Sequence, residues 1–390
     1  MFALSYDRDL SFEYNNPTKI IFGENSVKDV GLEVDNLGGT KALIVTDQGI
    51  VKAGLTARIE EALGRRYAGT FDGCVQDSGF QLVNEAADFA RGKGADILVS
   101  VGGGSVIDTA KGISILLREG GKLQDYAGVQ MLNRPQIPHI VIPTTAGTGS
   151  EVTWAAVIKN EERNAKETLL DYYLIPSIAI LDPTMTAGLP PQITAATGMD
   201  ALTHAVEGIH AMQRQPIADA MALHAIRLIT QYLPRCVEDG SDLLARGQQL
   251  LAATMAGVAF GNAQVGLVHA IAHSIGALFG VPHGLANGIL LPHVMLFNVE
   301  DCADRYALIA RAMDLDTRGL DDVEAGKKAA AAVWELTKKI GLTQKLRDAG
   351  VPEDGLTEAA ELSMSDASII YNPRMVLDAE EVLQVLKQAW

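Results

Sequence analysis

The segment Gly198-Met199-Asp200-Ala201-Leu202-Thr203-His204 sets a carboxylate and an imidazole four residues apart. His269-Ala270-Ile271-Ala272-His273 repeats that spacing with two imidazoles, and Pro282-His283-Gly284 follows. Residues i and i+4 share one face of a helix, so two such pairs on two helices can converge on one point. Carboxylate and imidazole together are a ligand mixture for a borderline divalent transition metal such as iron(II) or zinc. A lone His-x-x-x-His is more often packing than a site. Here, however, seven of the eight histidines fall between His204 and His293, and the stretch from Gly247 to Val299 holds no Asp, Glu, Lys or Arg. Imidazoles in so apolar a setting need partners, and metal binding is the reading that serves several at once.

A second kind of chemistry is written in two loops. Gly102-Gly103-Gly104-Ser105 follows a strand-like run and opens a helical pattern. Glycines let backbone approach a ligand, and a helix N-terminus offers free N–H groups and positive potential, which together suit a pyrophosphate. The order Ser105-Val106-Ile107-Asp108 has the form of a capping box and predicts the helix start there. The loop is not a G-x-G-x-x-G fingerprint, and Gly-rich turns also occur without a ligand. Pro143-Thr144-Thr145-Ala146-Gly147-Thr148-Gly149-Ser150 again comes straight after a strand-like run, with hydroxyls suited to ribose or phosphate. Two such loops at the carboxyl ends of parallel strands point to a dinucleotide, because ligands of these sheets bind there.

The elements that must position these groups divide the chain near residue 190. Residues 1–190 alternate buried strand patterns (Ala42–Thr46, Ile97–Val101, His139–Ile142) with helical ones (Ala53–Leu63, Gln81–Arg91, Val106–Leu117), and Lys19–Gly23 reads as an edge strand. That alternation predicts an α/β domain with a Rossmann-like parallel sheet covered on both faces. Residues 191–390 read as an all-α helical domain, with helices over Ala195–His210, Pro216–Leu233, Leu243–Phe260, Val268–Phe279, Arg305–Met313, Val323–Ile340 and Ala379–Gln388. The polar interruptions of the uncharged stretch leave no window of about 20 apolar residues, so it reads as buried helices rather than a membrane span. A net charge of −16 argues against nucleic acid and anionic membranes as partners. Three scattered cysteines form no disulfide framework or zinc-thiolate pattern. Residues 1–8 carry no basic-then-apolar leader, so a cytoplasmic location is expected.

At this point the residues resemble a known family. Gly102–Ser105, Pro143–Ser150, Gly198–His204 and Gly266–His283 look like the matching segments of the iron-containing, group III alcohol dehydrogenases, nearest to the lactaldehyde reductase and 1,3-propanediol dehydrogenase types. The likeness runs from Phe22-Gly23 to Asn372-Pro373-Arg374. The resemblance implies the dehydroquinate synthase-like fold of that family. It also implies Fe(2+) or Zn(2+) held by Asp200, His204, His269 and His283, and His273 near the nicotinamide as a proton relay. For NAD(H) it implies Asp47 at the adenosine ribose, Gly103, Gly104 and Ser105 at the pyrophosphate, Thr144, Thr145 and Thr148 on the second loop, and Lys166. Phe260 falls on a residue lining the substrate pocket. Two departures stand out: Asp77-Ser78-Gly79 where many members have Asn-Pro-Thr, and Ala155 where lactaldehyde reductase has a pocket asparagine.

The expected activity is therefore NAD(H)-linked oxidation of a small primary alcohol or diol, or reduction of the aldehyde. The cation would act as a Lewis acid on the substrate oxygen, in a cleft between the two domains. The expected partners are that small molecule and further copies of the chain, as a homodimer or higher homo-oligomer. Three other readings stay open: a glycerol dehydrogenase-like member of the same fold, a metal-dependent hydrolase or lyase, and a non-enzymatic metal-binding or interaction protein. The second leaves the two Gly/Thr loops unexplained.

Overall fold

Among the described residues of the computed structural model, 10–161 and 165–390, nine strands fall in the first half of the chain. They are β1 (Lys19–Phe22), β2 (Ala42–Asp47), β3 (Tyr67–Cys74), β4 (Ile97–Gly102), β5 (Gly128–Val129), β6 (His139–Pro143), β7 (Ala155–Asn160), β8 (Ala165–Leu170) and β9 (Ile178–Leu181). Six of them form one sheet in the order β1-β9-β6-β4-β2-β3, with every pair parallel. A small second sheet has the order β5-β8-β7, in which β7 and β8 run antiparallel. Residues 1–9, read above for a leader, lie outside the described residues.

The pleat explains why the central strands are apolar throughout. Leu43, Val45 and Leu98 face one way, where they pack with Phe80, Val83, Val106, Ala110 and Ile113. Those last residues come from α4 (Phe80–Lys93) and α5 (Gly104–Glu119). Ala42, Ile44, Ile97 and Val99 face the other way, toward residues of α1 (Val30–Asn36) and α3 (Leu55–Leu63), with α2 (Gln48–Lys52) between β2 and α3. Alternation with period two thus feeds two cores from one strand. Each fully buried Val, Leu or Ile contributes about 1.5–3 kcal/mol. The edge strand β1 is the exception, with Ile20 and Phe22 exposed.

The rest is helical: α6 (Pro191–His210), α7 (Pro216–Glu238), α8 (Leu243–Ala263), α9 (Leu267–Phe279), α10 (His283–Asn298), α11 (Ala303–Ala312), α12 (Asp322–Lys339), α13 (Leu356–Ser363) and α14 (Ala379–Ala389). From Gly198 to His210 every residue of α6 is buried, so this helix runs through the middle of its unit, packed by α7 and α10. One compact unit comprises residues 16–190 with Gly240–Leu251; the other comprises residues 10–15, Pro191–Asp239 and Ala252–Trp390. Among the described residues the chain therefore crosses between units four times: after Asn15, after Pro190, after Asp239 and within α8 after Leu251. No single described helix is long and apolar enough to cross a membrane; α8 and α9 reach that length only as a pair bent by 104°.

Three local expectations need correcting. α7 runs on to Glu238 through Pro234, although Leu233 reads as its end, because proline removes one N–H without forbidding the following turn. Neither α10 nor α13 is among the expected helices, and Pro292 sits within α10. The capping box at Ser105 does not form. Gly103 is the N-cap of α5 with no side-chain bond, while Asp108 turns inward and accepts from Ser150 Oγ at 2.5 Å and Val157 N at 3.0 Å.

Candidate metal centre and nucleotide loops

Asp200 and His204 stand one turn apart on α6, and both are almost inaccessible. α9 carries His269 and His273, and α10 begins at His283. Gly284 permits the close approach of α10 to α6. A β-carbon there would sit 2.4 Å from the Ala196 carbonyl oxygen and 3.3 Å from Asp200 Cβ, so any other residue would force His283 away.

These elements gather the ligand atoms of Asp200, His269 and His283 so that all lie within 4.8 Å of one another. His204 stands outside that tightest set but faces it. Asp200 Oδ1 is 3.5 Å from His283 Nε2 and 3.9 Å from Nε2 of both His204 and His269. Two donors each about 2.1 Å from one tetrahedral ion are about 3.4 Å apart, so the spacing suits a shared cation. The Asn287 amide nitrogen reaches Asp200 Oδ1 at 2.7 Å, His283 Nε2 at 3.1 Å and His269 Nε2 at 3.3 Å. An amide has two N–H groups, too few for three acceptors. Lone pairs thus converge on one place in excess of the available protons, which is what a cation requires.

Electrostatics agree. Burial works against the charge of Asp200, yet His204, His283, His269 and the Asn287 amide offset it and hold the carboxylate below its ordinary range. Burial, with His204 adding to it, pushes His269 well below the ordinary imidazole value, leaving a neutral ring able to ligate. The His204 ring stacks on His269 at 4.6 Å and on Phe260 of α8 at 4.1 Å, so Phe260 is an apolar wall of this cluster. His273 points elsewhere with one nitrogen: Nδ1 lies 2.7 Å from Asp366 Oδ2. Its ring stacks on His283 at 5.2 Å.

In the α/β unit, the expected cofactor residues collect at the carboxyl ends of three adjacent strands. Asp47 ends β2, Gly103 to Ser105 follow β4, and Thr144 to Thr148 follow β6. The two loops touch: a β-carbon on Gly103 would lie 3.3 Å from Thr145, and one on Gly104 2.7 Å from Thr148 Cγ2. Asp47 caps α2, with Oδ1 accepting from Gly49 N at 2.7 Å and Ile50 N at 3.0 Å. Lys166 is ion-paired to Asp77 at 2.7 Å, and the Asp77 N–H donates to Ser105 Oγ at 3.2 Å. The departure at Asp77 therefore puts a carboxylate between two expected cofactor residues. Ala155 opens β7 and makes no polar side-chain contact of its own.

Sequence reasoning passed over Glu207, Asn287 and Asp366. Glu207 lies seven residues after Asp200 and Asn287 four after His283, spacings that keep them on the ligand faces of their helices. Asp366 carried no local signal, being 93 residues from His273.

Comparison with known proteins meets this geometry from another side. Residues 17–183 match the model for iron-containing alcohol dehydrogenase, and residues 194–390 match the C-terminal model of the Fe-containing alcohol dehydrogenase family. The chain is 40% identical over 385 residues to 1,3-propanediol dehydrogenase of Klebsiella pneumoniae, covering 97% of this chain and 99% of the relative. It is 37% identical over 377 residues to NAD-dependent methanol dehydrogenase of Bacillus methanolicus, covering 96% and 98%. A solved structure of 1,3-propanediol oxidoreductase superposes with a TM-score of 0.95 at 40% identity, covering 98% of this chain and all of that one.

Proposed function

The chain belongs to the iron-containing alcohol dehydrogenase family, and from that premise we propose that it interconverts a small primary alcohol or diol with its aldehyde. It is an enzyme of the metal- and NAD(H)-dependent class. The observation that carries the proposal is the cluster around Asp200 Oδ1, where one carboxylate and three imidazoles converge and the Asn287 amide donates too few protons to satisfy them.

Asp200, His204, His269 and His283 would hold the ion, iron(II) or, by the affinity series, zinc. A bound divalent cation supplies Lewis acidity, which favours the ionised alcohol and the polarised carbonyl. The nicotinamide supplies or accepts the hydride. The protein's own work is placement. Neutral imidazoles and one carboxylate leave the site positive enough to draw an oxyanion. Phe260 gives the substrate carbon an apolar wall and keeps water from it. His273, with Nδ1 directed to Asp366, has Nε2 left to take the alcohol proton or return it.

For the cofactor, the free N–H groups at the start of α5 would bind pyrophosphate beside Gly103, Gly104 and Ser105. Thr144, Thr145 and Thr148 would add hydroxyl donors, and Lys166 a cation. Asp47 Oδ2 would accept from the ribose diol, since Oδ1 is used by α2. A homo-oligomer and a cytoplasmic location complete the proposal; an exposed edge strand β1 and three buried free cysteines support them. The test is anaerobic NADH oxidation with iron(II) and a panel of short aldehydes, run in reverse with the alcohols. Turnover with at least one pair is expected; none with any would contradict the proposal.

A further inference from the structure

Glu207 is fully buried on α6, seven residues past Asp200 and on the same face. Nothing in the mechanism above uses it, and an unpaired carboxylate at that depth would be costly. Both of its oxygens are engaged by α9. Oε1 accepts the Val268 N–H at 2.8 Å, one of the donors that a helix start leaves without an intrahelical partner. Oε2 lies 2.5 Å from His269 Nδ1. His269 Nε2 is the nitrogen that faces Asp200, His283 and Asn287.

An imidazole has one proton to place when neutral. An ion on Nε2 takes that nitrogen's lone pair and leaves the proton on Nδ1, where Glu207 Oε2 is the acceptor. We infer that Glu207 is a positioning residue of the metal centre: through one carboxylate it seats the first turn of α9 and fixes both the tautomer and the tilt of His269. The inference rests on the metal-site reading above. Histidine ligands held in this way by an outer carboxylate lose about 10–100-fold in metal affinity when the carboxylate is changed.

Glu207→Gln separates this role from simple packing. Glutamine keeps the volume but offers one acceptor and one two-proton donor, where Val268 N–H and His269 Nδ1–H need two acceptors. If the backbone keeps the acceptor, the glutamine amide faces Nδ1 and drives the ring proton onto Nε2. The experiment loads metal-free protein with zinc or cobalt(II) in competition with a chromogenic chelator. Expected for E207Q is a 10–100-fold weaker affinity and an altered cobalt(II) visible spectrum, with NADH binding as in wild type. Affinity within twofold of wild type and an unchanged spectrum would overturn the inference. Wild type and H283A are run alongside. If wild type binds no ion, or H283A binds as tightly, the metal-site reading itself fails; if both behave as expected, E207Q judges Glu207 alone. Should E207Q not fold, zinc-loaded wild type labelled with 15N-histidine supplies the answer. A downfield, exchange-protected ring proton on Nδ1 of an Nε2-ligated histidine, assigned to His269 by its proximity to the Val268 N–H, is required, and its absence overturns the role.

Discussion

His269 and His273 sit on successive turns of one helix yet differ in what holds them, and the difference separates two roles. His269 is enclosed, with Nδ1 on Glu207 and Nε2 in the ligand cluster; His273 is about a third exposed and paired with Asp366. Replacing His269 or His283 with Ala should therefore remove the metal and abolish turnover while the protein stays folded, as elemental analysis and circular dichroism would report. Unchanged metal content in both variants would sink the ligand assignment. His273→Ala should keep metal and NADH binding but lower turnover by about 10²–10⁴-fold, with an altered pH profile. Metal loss in that variant would make His273 a ligand, and full activity would leave it a packing residue. The Asp200/His204 and His269/His273 pairs were legible because i, i+4 spacing survives in the sequence of a helix. Asp366 was not, since a contact across 93 residues is created only by packing of α9 against the segment before Asn372.

At the scale of elements, β2 and α2 meet at Asp47, which both ends the strand and caps the helix. Its carboxylate should repel a 2′-phosphate and so favour NAD(H), a discrimination worth roughly 1–3 kcal/mol at short range. Asp47→Gly mixes that effect with a lost cap, whereas Asp47→Ser keeps a capping oxygen and removes only the charge. Asp47→Ser should thus raise the kcat/KM ratio of NADPH to NADH. A wild type that already uses NADPH as well as NADH, or a variant with the same ratio, would show that Asp47 is not the selector. The central strands β2, β4 and β6 were legible because burial on both faces demands continuous apolar runs. β7 and β8 were not: Ala155–Asn160 and Ala165–Leu170 carry charges and stand in a small separate sheet. α10 escaped notice because Pro292 reads as a breaker, though its first turn holds His283.

For the whole molecule, three buried histidines away from the Asp200 cluster contribute to the pH dependence of stability. Burial pushes His139 down to about 3, and His210 and His293 to about 4. Their folded-state values lie below the unfolded value of about 6.5. Between those limits the unfolded chain binds protons that the folded chain refuses, so the stabilising effect is complete above about pH 6.5 and is lost as pH falls below it. Each should contribute a slope of about 1.4 kcal/mol per pH unit in that window. Urea unfolding of the metal-free protein at pH 7 and pH 5 measures the slope. His139→Gln should reduce it by about one histidine's share, and an unchanged slope would exclude His139 as a source. The compact units depart from a single division near residue 190: residues 10–15 group with the helical unit and Gly240–Leu251 with the α/β unit, because a segment gives no sign in its own sequence of which unit it packs against. The claim that unites these scales is that one metal ion in the Asp200 cluster makes NAD(H) chemistry possible. Its most direct test is stepwise addition of iron(II) to metal-free protein under anaerobic conditions, with bound metal and NADH oxidation by the best aldehyde measured on the same samples. Turnover should rise in proportion to bound metal and level at one ion per chain; NADH oxidation that is undiminished in the metal-free protein would contradict a metal-dependent reaction.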